Sequence, residues 1–185
     1  AMRRNIDMTD IVMNNSIYGL TTGQTSPTSN EGMKTKSTPF GNPEAPLNPI
    51  AMALGSGASF VARAFSGNPK QAVEIYKAAI QHKGFALVDT FSPCVTFNKV
   101  NTAQFYRDNT YDLAAEGHDK ADLEAAFTVA TRDTYASGRI ATGIFYQNTR
   151  PCYEEGEKDT LAIPICDHEL GISAARAEEL KDGFK

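Results

Sequence analysis

Apolar residues fall in a few short runs along the chain, and the length of each run predicts its structure. The run at residues 8–13 is typical of a strand buried on both faces of a parallel sheet. Residues 59–64 and 85–91 predict two further strands, the second of which runs into Ser92-Pro93-Cys94. Between these two strands lies the clearest helix signal in the sequence.

The helix signal consists of Asn68 as N-cap, Pro69 at the first helical position and Gly84 just past the end. Its predicted core face contains Ala72, Tyr76, Ala79, Ile80 and the aliphatic part of Lys83. Strand, helix and strand with such short connections form a βαβ unit. The sequence therefore predicts an α/β fold with an open, mostly parallel sheet and helices on both faces.

The remaining elements follow from weaker patterns. Residues 49–54 predict a short helix, residues 139–146 a strand, and residues 172–180 a helix. A helix capped by Asp119 is predicted to bury Leu123, Ala126, Phe127 and Ala130. No internal repeat is visible, so residues 2–185 are predicted to form one domain.

Composition narrows the function classes. With 22 acidic and 18 basic residues the net charge is −4, which argues against a nucleic-acid partner. No apolar run reaches the roughly 18–20 residues that span a membrane. Three cysteines without CxxC spacing favour neither a disulfide framework nor a zinc site, so we expect a reducing cytoplasm.

Residues 14–46 have neither helical nor strand periodicity, although they follow a predicted strand. In an open parallel sheet, ligands lie beyond the carboxyl ends of the strands, where both Asn14-Asn15 and Cys94 are predicted to lie. Amide oxygens suit Mg2+ when a diphosphate supplies negative charge. Gly19 and Gly23 would let the backbone approach a phosphate. The alternative is an asparagine-rich turn followed by a flexible loop.

Five stretches favour the first interpretation: "RRNID", "NNSIYGLTTGQTSPTS", "GMKTKSTPFGNPEAPLNP", "GSGASFVARAF" and "HKGFALVDTFSPCVTFN". In this order they resemble the beta subunit of 2-oxoacid:ferredoxin oxidoreductases, most closely the two-subunit branch that acts on 2-oxoglutarate. The resemblance covers residues 3–98. It implies a thiamine diphosphate-binding fold.

The resemblance also implies site residues. Asn15 would bind Mg2+ through its side chain and Ile17 through its backbone carbonyl. Tyr18, Gly19, Leu20 and Thr21 would lie along the diphosphate of thiamine diphosphate. Cys94 would ligate a 4Fe-4S cluster. Lys34 and Lys36 are candidates for contacts to a substrate carboxylate or the diphosphate, the alternative being solvated loop lysines.

The implied reaction is oxidative decarboxylation of a 2-oxoacid, with 2-oxoglutarate as the best guess. The acyl group passes to coenzyme A and electrons pass through iron–sulfur clusters to ferredoxin. The implied partners are an alpha subunit and ferredoxin, in an oligomer. Two alternatives remain: a non-catalytic scaffold of the same fold, and a thiamine-dependent decarboxylase without iron–sulfur clusters.

The sequence departs from the family pattern in lacking an early Gly-Asp-Gly motif and early cysteines. We therefore expect a C-terminal part of a beta subunit that is inactive alone and binds thiamine diphosphate weakly, with residues 8–13 at an exposed sheet edge. Cys152 and Cys166 are predicted to be buried core residues, His82 a charged partner of a helix dipole, and His168 part of a surface turn.

Overall fold

The computed structural model describes residues 1–134, 137–158, 162–163, 165–167 and 171–183. The prediction for His168 lies outside these residues. The strands are β1 (Met8–Asn14), β2 (Phe60–Phe65), β3 (Phe85–Phe91), β4 (Thr110–Asp112) and β5 (Ile140–Gln147). The helices are α1 (Pro49–Gly55), α2 (Pro69–Gln81), α3 (Ala103–Asn109), α4 (Leu123–Arg132), α5 (Tyr153–Gly156) and α6 (Ala174–Asp182).

The strands form one sheet in the order β1-β3-β2-β5-β4. β1, β3 and β2 are mutually parallel, and β5 pairs antiparallel with β2 and parallel with β4. The carboxyl ends of β1, β3 and β2 therefore lie at the same end of the sheet. The predicted mostly parallel α/β sheet is confirmed.

Helices cover both faces of the sheet at β2 and β3. Alternate residues of one strand point to opposite faces, so neighbouring residues pack against different helices. Val61 of β2 and Leu87 of β3 pack on the side of α1 and α4. Ala62 of β2 and Val88 of β3 pack on the side of α2. Helices on both faces, as predicted, explain why β2 and β3 are apolar without alternation.

β1 is a strand as predicted, but it is not buried on both faces. It lies at the end of the sheet with β3 as its neighbour, and Met8, Ile11, Val12 and Met13 are exposed. Met13 has the largest exposed fraction, 62%. The expectation of full burial was wrong, whereas the expected exposed edge is observed.

α2 begins as predicted, with the Asn68 side chain accepting a hydrogen bond from the Gln71 backbone N–H. Its buried face, however, is formed by Ala72, Ile75 and Ala79. Ile80 is 68% exposed, and Lys83 lies beyond the helix. At the C-terminal end of α2, the predicted buried face is therefore displaced from the observed buried face by about one residue, toward solvent.

α4 contains the predicted buried Ala126 and Ala130, but its N-cap is Asp122, which accepts from the N–H groups of Glu124 and Ala125. Asp119 instead accepts from Ala121 N–H in the preceding turn. Leu123 is exposed. α3 and β4 had no counterpart in the sequence prediction, since neither has clear apolar periodicity.

A buried polar cluster joins the N-terminal segment to β2 and β3. Asn5 accepts from Ser59 Oγ at 2.6 Å and from Phe85 N–H at 3.0 Å, and it donates to the carbonyls of Arg150 and Pro151. His82 Nε2 lies 2.8 Å from Ser59 Oγ. Because the single hydroxyl proton goes to an oxygen acceptor, His82 Nε2 donates to Ser59.

This contact overturns the prediction that His82 is a charged partner of the helix dipole. The side chain is buried, and that burial lowers the pKa of His82 below its usual value. The imidazole is therefore neutral at pH 7, and its role is that of a hydrogen-bond donor in the core.

The chain divides into two compact units, Ala1–Tyr153 and Glu154–Lys185. The first contains the whole sheet. The second contains a 3-10 helix at Ile165–Asp167 and α6, which Ser173 caps by accepting from Arg176 N–H. A single domain over residues 2–185 remains a prediction. Among the helices described here, none has both the length and the apolar character needed to cross a bilayer.

Two glycines with positive φ allow a test of the Asn5 cluster. A Cβ at Gly84 (φ +115°) would lie 2.4 Å from Asn5 Oδ1, whereas a Cβ at Gly57 (φ +74°) would meet no atom within 4 Å. We expect Gly57→Ala to lower the free energy of unfolding by about 1–2 kcal/mol through backbone strain alone. Gly84→Ala should cost at least about 2 kcal/mol more, because Asn5 must leave its buried partners. Urea denaturation of both variants measures the difference, and equal losses would contradict the proposed role of Asn5.

Candidate cofactor and metal site

The site begins where β1 ends, at Asn14. The Asn14 carbonyl accepts from Ser92 N–H at 2.8 Å, which joins the carboxyl ends of β1 and β3. Its side-chain amide donates to Asp89 Oδ1 at 3.0 Å and accepts from Ser16 N–H and Thr28 Oγ1 at 3.1 and 2.8 Å. Asn14 is buried, and its side chain holds the turn in place.

The carboxylate that accepts from Asn14 belongs to an ion pair inside the sheet. Arg63 Nε lies 3.0 Å from Asp89 Oδ2, and the two residues are only 6% and 0% exposed. They are aligned neighbours in the parallel pairing of β2 and β3. The Arg63 guanidinium also lies over the rings of Phe91 and Phe145, 4.9 and 5.5 Å from their centroids. This pair was not predicted from the sequence, although two opposite charges inside apolar strands are a readable signal.

Asn15 and Ile17, which the resemblance assigns to Mg2+, lie in one tight turn. Asn15 Oδ1 accepts from Ile17 N–H at 3.1 Å, while the intervening Ser16 has a left-handed backbone (φ 54°). The Ser16 carbonyl accepts from Ser29 Oγ at 2.7 Å, which stabilises this strained conformation. The two asparagines thus differ in their contacts, because the Asn14 side chain is bonded to Asp89 and Thr28, whereas the Asn15 side chain bonds within its own turn.

A groove with a volume of about 620 Å³ lies beside this turn and β1. This volume is typical of cofactor sites. All six residues that the resemblance assigns to Mg2+ and the diphosphate line it: Asn15, Ile17, Tyr18, Gly19, Leu20 and Thr21. The donor set fits Mg2+, because an amide oxygen and a backbone carbonyl are hard, neutral ligands suited to a diphosphate-bound ion.

The turn that follows Ile17 folds back on itself. Tyr18 N–H donates to the Gln24 carbonyl and Gly23 N–H to the Tyr18 carbonyl, both at 3.0 Å. Lys36 Nζ donates to Thr22 Oγ1 at 3.1 Å, so the structure brings Lys36 to this turn. Lys34 and Lys36 are both exposed, and neither lines the neighbouring groove.

The segment at residues 25–38 is held by its own hydroxyl groups. Thr25 Oγ1 lies 3.0, 3.2 and 2.9 Å from the hydroxyl oxygens of Thr35, Ser37 and Thr38. These hydroxyl groups thus connect two parts of the loop, although none of the four residues is buried. The long stretch without periodicity is therefore a structured loop beside the groove.

Cys94 lies just beyond the end of β3, next to the Asn15 turn. The backbone N–H of Phe97, helped by those of Thr96 and Asn98, lowers the pKa of the Cys94 thiol, and partial burial opposes this effect. Donors aimed at a sulfur favour the thiolate, the form that ligates metals. The thiol is partly accessible.

The other two cysteines differ from each other. Cys152 is buried as predicted, but Cys166 is exposed, so its prediction as a core residue was wrong. Within the described ranges no three His, Cys, Asp or Glu side chains come together as a metal site. Any cluster on Cys94 would therefore need ligands from outside those ranges.

Two family models match the chain. The C-terminal TPP binding domain of thiamine pyrophosphate enzymes matches residues 1–90, and the C-terminal region of the pyruvate ferredoxin oxidoreductase beta subunit matches residues 94–160. The first match ends at residue 90, within β3, and the second begins at Cys94.

Individual relatives agree with these models. A 2-oxoacid:ferredoxin oxidoreductase subunit beta of Aeropyrum pernix is 44% identical over 161 residues, covering 83% of this chain and 51% of the relative. The 2-oxoglutarate oxidoreductase subunit KorB of Mycobacterium tuberculosis is 50% identical over 98 residues, 53% of this chain and 26% of its own.

A solved structure is similar over nearly the whole chain. It is the 2-oxoglutarate:ferredoxin oxidoreductase from Magnetococcus marinus with 2-oxoglutarate, coenzyme A and succinyl-CoA bound. The TM-score is 0.82 at 40% sequence identity, covering 97% of this chain and 60% of the other.

The sheet and the groove at its carboxyl edge define a domain of the thiamine diphosphate-binding class. Within that class, the chain belongs to the family of 2-oxoacid:ferredoxin oxidoreductase beta subunits. It spans about half the length of the curated relatives that it matches over most of its own length.

The buried ion pair yields a stability prediction. Asp89→Asn keeps the shape but leaves the Arg63 guanidinium without a charged partner, so we expect a loss of about 3–5 kcal/mol in unfolding free energy. As a control, Glu74→Gln removes the exposed Glu74–Lys77 pair of α2 and should change stability by at most about 0.5 kcal/mol. Urea denaturation measures both, and a loss below about 1 kcal/mol for Asp89→Asn would show that Arg63 does not depend on this carboxylate.

The Cys94 environment yields a reactivity prediction. Because its pKa is lowered, the rate of Cys94 alkylation by iodoacetamide should reach half its plateau at a lower pH than that of an unfolded peptide containing Cys94. Mass spectrometry of the modified peptide separates Cys94 from Cys166. A midpoint equal to or above that of the peptide would mean that the surrounding N–H groups do not stabilise the thiolate.

Proposed function

We propose that this sequence is part of the catalytic subunit of an enzyme that oxidatively decarboxylates a 2-oxoacid, with 2-oxoglutarate as the best candidate. A 2-oxoacid and coenzyme A would yield acyl-CoA and carbon dioxide, and two electrons would pass singly through a 4Fe-4S cluster to ferredoxin. One observation carries the proposal. The Asn15 turn and Cys94 follow adjacent parallel strands and lie side by side.

The chain's own residues have distinct roles in this proposal. Asn15 through its side chain and Ile17 through its carbonyl would hold Mg2+. Tyr18, Gly19, Leu20 and Thr21 would line the diphosphate, as their place in the groove supports. Thiamine diphosphate, when bound, supplies the electron sink for decarboxylation, and the protein supplies orientation and electrostatics.

Cys94 would provide one ligand of the cluster. The N–H groups aimed at its sulfur support this role, because hydrogen bonds to thiolates are among the features that set the potential of iron–sulfur clusters. Lys36, which contacts Thr22, is better placed than Lys34 to meet a carboxylate or the diphosphate. Both remain candidates.

The proposed partners are an alpha subunit, ferredoxin, coenzyme A and the 2-oxoacid, in an oligomer located in the cytoplasm. The names of the relatives support the general reaction, and several name 2-oxoglutarate. A thiamine-dependent decarboxylase without clusters is disfavoured by the donors around Cys94. A non-catalytic scaffold is disfavoured by the groove that the Asn15 turn lines.

The test uses the complete gene product that contains this sequence, purified with its alpha subunit. Thiamine diphosphate content, iron content and 2-oxoacid-dependent ferredoxin reduction are measured for the wild type, Asn15→Ala and Cys94→Ser. We expect Asn15→Ala to lose bound thiamine diphosphate and retain iron. Cys94→Ser should lose most cluster absorbance and ferredoxin reduction while retaining thiamine diphosphate.

Cys152→Ser is the matched control and should keep both cofactors, since Cys152 is a buried packing residue. A wild type with thiamine diphosphate but no iron would instead identify a decarboxylase without clusters. A wild type with neither cofactor would identify a scaffold. Loss of the cluster in Cys152→Ser but not in Cys94→Ser would overturn the assignment of Cys94.

A further inference from the structure

One buried side chain joins the two cofactor turns. Asn98, only 1% exposed, donates from Nδ2 to the Asn15 carbonyl at 3.0 Å. Its backbone N–H donates to the Cys94 carbonyl at 3.2 Å and also faces the Cys94 sulfur. A single residue therefore contacts the Cys94 turn through its backbone and the Asn15 turn through its side chain.

The orientation of the Asn98 amide is fixed on both sides. Oδ1 accepts from the N–H groups of Val100 and Asn101 at 3.0 and 2.9 Å. Nδ2 also donates to Asn101 Oδ1 at 3.2 Å. With N–H groups on one side and oxygens on the other, this site requires an amide rather than a carboxylate.

The two turns are also in direct contact. A Cβ at Gly19 would lie 3.2 Å from Cys94 Sγ, and a Cβ at Gly23 would lie 3.1 Å from the ring of Phe97. Two glycines of one turn thus face two side chains of the other without a gap. Packing limits how closely the turns can approach, and the Asn98 hydrogen bond holds them together at that distance.

We propose that Asn98 is a positioning residue that fixes the Cys94 turn against the Asn15 turn, and so sets the spacing between the iron–sulfur and thiamine centres. The inference rests on the proposed function. Electron transfer slows steeply as the distance between centres grows, so a side chain that holds the two turns together controls the rate at which the cluster is reduced.

The test compares Asn98→Asp with the wild type in the complete enzyme. The aspartate keeps the acceptor for Val100 and Asn101 but cannot, as a carboxylate, donate to the Asn15 carbonyl. Asn98→Ser removes the link without burying a charge and serves where Asn98→Asp folds poorly. The matched control is Asn5→Asp, which changes an equally buried asparagine that contacts neither turn.

Three quantities are measured: thiamine diphosphate and iron content, the cluster midpoint potential by EPR-monitored titration, and the single-turnover rate of cluster reduction by the 2-oxoacid. We expect an Asn98 variant to keep both cofactors, to shift the midpoint potential, and to slow cluster reduction by about 10-fold or more, as is typical when a supporting contact to a metal site is lost. Asn5→Asp should leave the potential and the rate at wild-type values.

An unchanged rate and potential in the Asn98 variants would overturn the proposal. Loss of the cluster or of thiamine diphosphate in both Asn98 variants, with retention in Asn5→Asp, would also overturn it, because Asn98 would then serve cofactor retention rather than spacing. A wild type that lacks either cofactor would instead refute the proposed function.

Discussion

The contact between Arg63 and Asp89 is the interaction on which the site depends. Removing two charges from water is costly, and their attraction offsets that cost only when the geometry is good and the remaining polar atoms are bonded. Here the second carboxylate oxygen accepts from Asn14, and the guanidinium lies over two aromatic rings. The pair therefore has little freedom to move, and β2 and β3 are locked at the register that aligns its members.

The ion pair also fixes the backbone at the carboxyl end of β1. Asp89 orients Asn14, and Asn14 orients Ser16 and Thr28, so the first asparagine of the pair is part of the core although it begins the loop. By contrast, the Asn15 side chain accepts from the neighbouring Ile17 N–H, and its backbone carbonyl accepts from Asn98. A strand that ends in two amides can in this way use one to fix the backbone and one to face a ligand.

Much of the fold could be predicted from the sequence, because strong local signals coincide with tertiary ones. The start of α2 followed from Asn68 and Pro69, and the bounds of β3 followed from its apolar run. α3 and β4 escaped prediction because tertiary contacts, such as the packing of Tyr106 on Phe91, determine them more than periodicity does. Burial of β1 was misjudged because an apolar run does not reveal whether its strand is central or at the edge.

In the candidate site, too, some residues could be predicted from the sequence and others could not. Asn15 and Cys94 could be proposed as candidates from residue type, position after a strand and family resemblance, since these features are visible in short stretches of sequence. Asn14, Asp89 and Asn98 could not, because their roles arise from contacts between residues that are 75 and 83 positions apart in the chain. The topology supplies those contacts: parallel neighbours bring their carboxyl ends together, so the turns after β1 and β3 must meet. Once they meet, a single amide can belong to both turns, and the geometry of one candidate cofactor site becomes inseparable from that of the other.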